Sequence, residues 1–579
     1  MVNVKRREEV AIWEHFESPE LNFPILFRRI LSMCVDNTIP LSVRTHLVSF
    51  IVVAFQSLDA GIVRKECASL VSIAIWNNLS SEEVRNQQLD KYTQTRKIWR
   101  ASGKRYEAGD DTTKTRLRFE RTWLYRMTLD FLNYMYVPVE DTEPAIVLSY
   151  CERFIELLTD LESQLPTRRY LNTLLKDMNV LTAIKLSPAY TSGEGLIREL
   201  HKLLEHYVYF SVDDITGNQL SQEDVRKVQN ATLGKLQRIA FKNFKEKLTI
   251  LALANFGNIG QREELEGHLV ELEDAELVQL CKLLGFRTAY PKAVVWKVDR
   301  TFLTEVILSH HERRKTFKDE ARELTVLPNE KTLFADSIIG GENYDGSRPL
   351  PIPKINLQYL TVGDFLWRSF ILYRHESFLG IRRNIEDALK QLSPRIRYPS
   401  METSFHGFSK MALAISRPSI LEILPPKVGE EKPASVRAEI SLDLSRVSAD
   451  VRDEWESLRV DDVVFFLGVK GEDDGGDRMI TNGDGEGISL TEQYGIKCLR
   501  SATVAQTLDA QGKPLRVGDQ QLRSSGGRLR LHVNLDAEMF QRDADALKDG
   551  KPDIYDSINL VVRRKGRVSA PNIMVDPQC

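Results

Sequence analysis

The chain has 579 residues, which exceeds the roughly 250–300 residues at which one hydrophobic core stops growing, so we expect two or three structural units. Its 42% hydrophobic and 28% charged residues exclude a mainly disordered protein. The 79 Lys and Arg residues nearly balance 82 Asp and Glu residues, so the formal charge of −3 excludes a globally basic nucleic-acid binder, and any basic surface must be local.

The first 330 or so residues are predicted to be helical. In Cys151–Leu165, apolar residues recur at three- and four-residue spacing, as on the buried face of a helix. Similar units follow one another with short connections, so we predict an armadillo- or HEAT-like α-solenoid over residues 1–330. This class is reached by elimination, because no repeat has a fixed signature. The other helical units are Phe27–Leu58, Ile62–Leu79, Tyr170–Met178, Leu196–Phe210, Val225–Asn255, Glu263–Leu284 and Phe302–Lys318.

Residues 331–434 are predicted to form a linker and a helical stalk. The Gly- and Pro-rich stretch 336–356 cannot hold a helix. One long helix is expected over 361–392, where Thr361 and Asp364 have the spacing of a capping box. Its predicted apolar stripe consists of Leu366, Phe370, Tyr373, Ile381, Ile385 and Leu389.

Residues 435–567 are predicted to form a small β domain. In Val436–Leu444 every second residue is apolar, which is typical of a half-buried strand. Val463–Val469 is a short apolar run that suits a fully buried strand, and further strands are expected over 529–535 and 558–562. Gly-rich polar loops separate these runs, so we predict a small antiparallel barrel or sandwich.

The sequence contains no pattern of a complete enzyme active site. Because no GxxxxGK[ST] loop occurs, we expect no nucleotide site, and we predict no catalytic residue, no cofactor and no metal. Gly483–Gly487 resembles a phosphate loop, but its carboxylates would repel phosphate, so a hairpin loop is expected. Asp213–Glu223 resembles part of a calcium loop, although a turn followed by a helix capped by Ser221 explains it better. His310 and His311 point to different sides of a helix and lack a further ligand.

The six cysteines are scattered and form no CxxC pair, which argues against a zinc site or a disulfide framework and favours a reducing compartment. The N-terminus has no apolar signal core. The apolar stretch Leu47–Phe55 is far shorter than the roughly 20 residues that a membrane span needs, so a soluble protein is predicted.

Basic clusters are the remaining candidates for a functional site. Arg168–Arg169 and Arg313–Lys315 could meet phosphates, but such charges usually form a solvated face. A cluster in a small barrel is the stronger candidate, because this kind of fold often offers grooves to RNA. We hypothesise that basic residues on and after two predicted strands, 529–535 and 558–562, contact RNA phosphates without reading the RNA sequence. The alternative is a surface that is solvated or faces a protein partner. The sequence leaves open whether these two strands are neighbours in the sheet. The candidate RNA-binding residues are Arg528, Arg530, Arg563, Arg564 and Lys565.

Five segments of the sequence are long and distinctive: Cys151–Arg169, Ser309–Arg314, Pro353–Thr361, Asp453–Arg459 and Tyr555–Lys565. Together they resemble the Aquarius family of intron-binding spliceosomal proteins. The segments occur in the order of the family, and the resemblance spans roughly Trp13 to Arg567. After Arg567, the tail 568–579 diverges from the family.

The resemblance implies an armadillo-like domain, a stalk and a β-barrel, followed by an RNA helicase core of the first helicase superfamily. It also implies a nuclear protein that binds intron RNA upstream of the branch site. The implied partners are a helical-repeat Syf-type protein, an Isy-type protein and a cyclophilin. This chain stops at Cys579, where the helicase core of the family would begin, and the family has further helices before the position of Met1. We therefore hypothesise a shortened gene model or a truncated paralogue.

Our leading hypothesis is a non-catalytic spliceosomal scaffold that docks protein partners, with an RNA contact through the β domain. The alternative is the N-terminal portion of an ATP-dependent RNA helicase whose motor domains are missing from this chain. A helical-repeat adaptor outside splicing is a third hypothesis.

Overall fold

The computed structural model describes most of the chain. It divides into two compact units, Met1–Arg322 with Tyr344–Arg368, and Glu323–Asn343 with Ser369–Cys579. The Gly- and Pro-rich stretch 336–356, the Gly483–Gly487 loop and the tail 568–579 lie outside the described residues. The described ranges are 12–18, 21–137, 143–193, 195–315, 319–321, 324–334, 359–399, 402–430, 432–471, 491, 495–515 and 527–564.

The first unit is built from consecutive helices, as the apolar periodicity predicted. Apolar side chains at three- and four-residue spacing on neighbouring helices form one buried core. Its α-helices in chain order are α1 Phe23–Cys34, α2 Leu41–Phe55, α3 Gly61–Leu70, α4 Glu82–Asp90, α5 Thr93–Glu107, α6 Asp111–Tyr136, α7 Pro144–Glu162, α8 Leu165–Asp177, α9 Val180–Lys185, α10 Pro188–Ser192, α11 Ile197–Val208, α12 Gln222–Asn243, α13 Thr249–Leu253, α14 Phe256–Ile259, α15 Arg262–Leu269, α16 Asp274–Leu284 and α17 Arg300–His311.

Local chemistry accounts for where these helices begin and end. Pro166 lies in the first turn of α8, where its missing N–H costs no hydrogen bond, so the break after α7 becomes the start of the next helix. Ser221 caps α12 by accepting a hydrogen bond from the Asp224 N–H at 3.1 Å. Gly285 ends α16 in the left-handed conformation that glycine adopts without strain.

The long helix is present as predicted, but its apolar stripe is buried along only part of its length. Helices α18 Glu330–Leu333 and α19 Val362–Leu392 follow in the chain. The Asp364 N–H donates to Thr361 Oγ1 at 3.1 Å, while the Asp364 carboxylate accepts from the Leu360 N–H instead of completing the capping box. Ile381, Ile385 and Leu389 are buried in a core of the second unit. Leu366 is 60% exposed and Tyr373 is 42% exposed. The apolar period predicts which residues share one face of the helix, but it does not predict which neighbouring element covers that face.

The second unit contains a seven-stranded antiparallel sheet with the strand order β3-β9-β6-β7-β8-β5-β4. The predicted class, mainly helical followed by a small antiparallel sheet, is confirmed. Among the described residues the end strands β3 and β4 do not pair with each other, so the sheet is not closed. The strands are β1 Pro394–Arg397, β2 Glu402–Phe405, β3 Ala412–Ala414, β4 Ser419–Pro426, β5 Pro433–Asp443, β6 Val463–Val469, β7 Ile496–Leu508, β8 Arg528–Leu535 and β9 Leu560–Arg563; β1 pairs only with β2.

The strand with the weakest sequence signal lies in the middle of the sheet. Strand β7 pairs with β6 on one side and with β8 on the other, and most of its side chains are buried on both faces. A strand that is covered on both faces has no alternation of polar and apolar residues. The search for such an alternation therefore did not predict β7. Helices α20 Ala449–Glu456 and α21 Ala537–Lys548 were also not predicted.

Each face of the sheet has its own core. On one face, Val464, Ala502 and Leu531 pack with Trp455 of α20. On the other face, Phe465 and Leu467 pack against α19. Strands β1 to β4 precede residue 435, where we placed the start of the β domain, and the predicted domain limits at 330, 434 and 567 stay predictions.

Candidate functional site

Arg528 and Arg530 project from the same face of β8, as their spacing predicted. Leu529 and Leu531 between and after them are buried in the core on the opposite face. The Arg530 side chain is 42% exposed and lies 3.9 Å from the Glu439 carboxylate on β5. That carboxylate also meets His532 Nε2 at 3.0 Å. The pair of arginines is therefore accessible, but both face acidic neighbours on β5, since Arg528 lies opposite Asp443 in the strand register.

Arg563 ends β9 in a different environment. It forms an ion pair with Glu454, and its guanidinium lies 5.7 Å from the centre of the Trp455 ring. Its side chain is only 13% exposed, and burial lowers the pKa of the guanidinium. Arg564 is half-buried, and Lys565 lies outside the described residues. The guanidinium of Arg563 is therefore mostly buried and already engaged by Glu454 and Trp455.

The register of the sheet separates the two arginine clusters. Arg563 pairs with Val464, Val464 with Ala502 and Ala502 with Leu535, and directly paired residues lie on the same face. Leu535 and Arg530 lie on opposite faces of β8, because they are an odd number of residues apart in a regular strand. Strands β6 and β7 also stand between β8 and β9. The structure does not bring Arg530 and Arg563 together into one surface.

The Arg168–Arg169 cluster has a structural role. Arg168 is 2% exposed, pairs with Glu162 at 3.2 Å and with Asp214 at 2.7 Å, and donates to the Tyr207 carbonyl at the end of α11. Arg169 donates to the carbonyl oxygens of Asp214 and Ile215. These bonds satisfy helix-terminal and turn carbonyls, so the guanidiniums are committed to the protein itself.

A half-open cavity of about 580 Å³ in the first unit was not predicted. It lies between α8, the segment after α11, the start of α12 and the end of α17. Lys176 and Asn172 of α8 line it, together with Arg314 from the predicted Arg313–Lys315 cluster. Arg314 stacks 3.4 Å above the centre of the Tyr209 ring. Lys176 had no signal in the sequence, since a lysine in the last turn of a helix is usually solvated.

The two histidines at the end of α17 are internal groups. His310 Nδ1 meets the Val306 carbonyl at 2.9 Å, and His311 Nδ1 meets the Ile307 carbonyl at 2.8 Å. Burial lowers the pKa of His310 to about 3 and that of His311 to about 4. Both rings are therefore neutral near pH 7. Among the residues that the structure describes, no group of three or more His, Cys, Asp or Glu side chains could hold a metal ion.

The described cysteines are buried, and burial keeps their thiols protonated. Burial raises the pKa of Cys34 and of Cys281 to about 12, so the reactive thiolate is not populated near pH 7. Cys579 lies outside the described residues. Across the described part of the chain, no helix is both long enough and apolar enough to cross a membrane.

Comparison with known proteins gives concordant matches for both units. The family model described as "Intron-binding protein aquarius N-terminal" matches residues 1–315, and the model "Intron-binding protein aquarius, beta-barrel" matches residues 393–564. The chain is 32% identical over 574 residues to the RNA helicase aquarius of Mus musculus, covering 98% of this chain and 38% of the mouse protein. It is 22% identical over 332 residues to the pre-mRNA-splicing factor cwf11 of Schizosaccharomyces pombe, covering 55% of this chain and 24% of the yeast protein. The chain thus spans well under half the length of these relatives.

Proposed function

The chain belongs to the Aquarius family of intron-binding proteins, and from this premise we propose that it is a non-catalytic scaffold in pre-mRNA splicing. The observation that carries the proposal is the similarity to the RNA helicase aquarius along 98% of this chain, through the helical unit and the sheet alike. The pre-mRNA-splicing factor cwf11 supports the same process. The proposed site of action is the nucleus.

The proposed activity is protein docking. Stacked helices offer long surfaces to partners, and this use of the fold needs no catalytic group. The internal hydrogen bonds and ion pairs of Arg168, His310 and His311 agree with a framework role for these side chains. By the family resemblance, the proposed partners are a helical-repeat Syf-type protein, an Isy-type protein and a cyclophilin.

An RNA contact through the sheet unit is the second part of the proposal. Its support is the accessible pair Arg528 and Arg530 on one face of β8. Phosphate contacts from such a pair would be independent of RNA sequence and sensitive to salt. Arg563, Arg564 and Lys565 remain proposed contacts, and Arg563 lies on a different face of the sheet from the pair on β8.

The alternative function is part of an ATP-dependent RNA helicase, which the name of the mouse relative favours. Full-length transcripts separate the two functions, because the transcript of a helicase would continue into motor domains downstream of this chain. The purified chain itself should not hydrolyse ATP, with or without RNA, because the sequence contains no GxxxxGK[ST] loop. RNA-stimulated hydrolysis that co-purifies with the chain through successive columns would contradict the non-catalytic proposal.

The scaffold proposal is tested by affinity purification of the tagged full chain from nuclear extract. Splicing proteins and intron RNA should be enriched over a tag-only purification. Nuclease treatment before elution separates direct protein docking from bridging by RNA. Enrichment of proteins unrelated to splicing, with the chain folded by circular dichroism, would contradict the proposal and favour a helical-repeat adaptor of another pathway.

A further inference from the structure

Helix α5 and the first half of α6 form a strongly basic hairpin in a chain that is slightly acidic as a whole. Residues 93–126 contain ten Lys and Arg but only four Asp and Glu, whereas the formal net charge of the chain is −3. Helix α5 alone has five Lys and Arg and one Glu. The overall charge requires any basic surface to be local, and this hairpin meets that requirement.

Three of these cations form a stripe along the exposed side of α5. Lys97, Arg100 and Lys104 are three and four residues apart, which places them on the same side of the helix over about 10 Å of its length. All three residues are exposed, and none forms an ion pair or a side-chain hydrogen bond with another described residue. The charges of this α5 stripe are therefore available to a ligand.

The carboxylates of the hairpin leave the α5 stripe positive. Glu120 pairs with Arg116 at 3.6 Å within α6. Asp110 and Asp111 lie at the start of α6, where a carboxylate stabilises the helix N-terminus. Glu107, the one acidic residue of α5, forms no ion pair within the described part of the chain. Three exposed cations thus have no carboxylate partner.

This arrangement costs helix stability unless an anion lies against it. Like charges three and four residues apart repel each other on a helix. A solvated helix face usually mixes its signs, as on α12, where Lys227 pairs with Glu223 at 2.8 Å. Arg100, in the middle of the α5 stripe, has three cations at these spacings and no carboxylate. A ligand with several negative charges relieves this repulsion.

The surroundings of the α5 stripe favour RNA over a protein segment. Thr93 and Ala101 lie on the same side of the helix, so no large apolar side chain stands among the cations. Ile98 is 38% exposed, but it lies at least about 100° away around the helix. Protein interfaces depend on apolar and aromatic anchors and are depleted in lysine. An RNA backbone carries a phosphate charge on every nucleotide and needs only exposed cations.

We propose that Lys97, Arg100 and Lys104 on the exposed side of α5 bind the phosphate backbone of single-stranded RNA without reading its sequence. The proposal assigns an RNA contact to the first unit, in addition to that of Arg528 and Arg530 in the second. It rests on the proposed function in splicing, which supplies RNA as the polyanion.

The test neutralises the α5 stripe in the full chain. In Lys97→Gln/Arg100→Gln/Lys104→Gln, glutamine preserves helix propensity and removes the three charges. Fluorescence anisotropy with the oligonucleotide rU12 should show an affinity at least tenfold lower at about 50 mM salt. The log–log salt dependence should become shallower by roughly 2, because about three fewer counterions are released.

A matched control removes the same number of charges from cations that are already paired. Lys227, Arg542 and Lys548 are exposed, and each pairs with a carboxylate of its own helix. Lys227→Gln/Arg542→Gln/Lys548→Gln should therefore bind rU12 within about twofold of the unaltered chain. Circular dichroism verifies the fold of both variants. Equal losses in the two variants would mean that only net charge matters, which would overturn the proposal.

Two further outcomes would also overturn it. Unchanged affinity for rU12 in the folded stripe variant would leave a solvated face. A twelve-residue oligoglutamate peptide tests for an acidic protein partner. Loss of peptide binding with unchanged rU12 affinity would assign the surface to such a protein, and equal losses for both probes would show a surface for any polyanion.

The result is distinguishable from the test of the proposed function. A chain whose rU12 affinity depends on Arg528 and Arg530 but not on the α5 stripe contradicts this inference alone. A chain whose rU12 affinity depends on the α5 stripe, but which enriches neither splicing proteins nor intron RNA from nuclear extract, contradicts the scaffold proposal and not the RNA-binding surface.

Discussion

Arg500 of β7 and Asp543 of α21 are joined by two hydrogen bonds, from Nε to Oδ2 at 2.6 Å and from Nη2 to Oδ1 at 2.7 Å. The side chains are 4% and 7% exposed. Arg500 Nη1 also donates to Glu330 Oε2 at 2.6 Å. This bidentate ion pair connects α21 to β7, the central strand of the sheet. The contact with Glu330 connects α18 to the same strand.

Breaking this pair should destabilise the second unit. Asp543→Ala leaves a buried guanidinium with one carboxylate partner fewer, at an expected cost of about 3 kcal/mol in the free energy of unfolding. Urea denaturation of the full chain measures it. The control is Asp545→Ala, which removes an exposed carboxylate from the same helix and should leave the unfolding midpoint unchanged. A midpoint for Asp543→Ala equal to that of the control would show that the pair contributes no stability.

The two arginine surfaces of the sheet should respond differently to charge reversal. Arg528→Glu/Arg530→Glu should weaken binding to rU12 and rA12 equally, and should make the salt dependence shallower by roughly 1.4 in log–log slope, because about two fewer counterions are released. Fluorescence anisotropy across a salt series measures both quantities. Unchanged affinity in a folded double variant would favour a solvated face.

Arg563→Glu is expected to act on stability first. Arg563 pairs with Glu454 and packs on Trp455. The substitution removes both contacts and places a second carboxylate beside Glu454. The unfolding midpoint in urea should fall, whereas Arg564→Glu should leave it nearly unchanged. If RNA binding falls in Arg564→Glu while the midpoint stays constant, this end of β9 contacts RNA directly.

The histidines of α17 should make the first unit sensitive to acid. Native His310 and His311 stay neutral until their pKa values of about 3 and about 4, whereas the unfolded chain takes up protons below about pH 6.5. The stability is therefore complete above pH 6.5 and is lost as the pH falls toward 4. Lys176, Arg314 and Lys235 add to the cost of charging these rings. The expected loss between pH 6.5 and 4.5 is about 2 kcal/mol for each histidine, or about 4 kcal/mol for the two.

The measurement is a series of urea midpoints from pH 7.5 to 4.5 on the full chain and on His310→Asn/His311→Asn. The variant is expected to be less stable at pH 7.5, because it loses packing against Phe286, but its midpoint should change less with pH. Equal pH dependence in both proteins would show that other groups cause the acid sensitivity.

Lys176→Met should stabilise the first unit at neutral pH. The pKa of Lys176 is lowered in the folded chain, so the charged lysine costs stability in full at every pH below about 8. That cost falls as the pH rises from about 8 to about 10.4, the pKa of lysine in the unfolded chain. The expected gain is about 1 kcal/mol at pH 7, and it should shrink by pH 10. Thermal unfolding at both pH values measures it; a loss of stability at pH 7 would mean that Lys176 is part of the framework.

The sequence alone was sufficient for the helical character of the first unit, for the long helix α19 and for the strands β5, β6, β8 and β9, although α4, α5 and α6 lay between the helical units that it indicated. Each of these elements has a regular apolar period or a local capping residue, and such signals depend only on neighbours in the chain. The family was also recognisable, since long segments such as Cys151–Arg169 carry it.

Only the tertiary structure decided which charged side chains are exposed and which are buried and paired within the protein. Arg168, Arg530 and Arg563 look alike in the sequence, but one is buried among carbonyl groups, one is exposed and one is packed on a tryptophan. Strand register placed the last two on opposite faces of the sheet, and the packing of α8 placed Lys176 in the wall of a cavity beside Tyr209. The physical reason is that burial and pairing depend on residues far apart in the chain, and a local pattern contains no information about those partners.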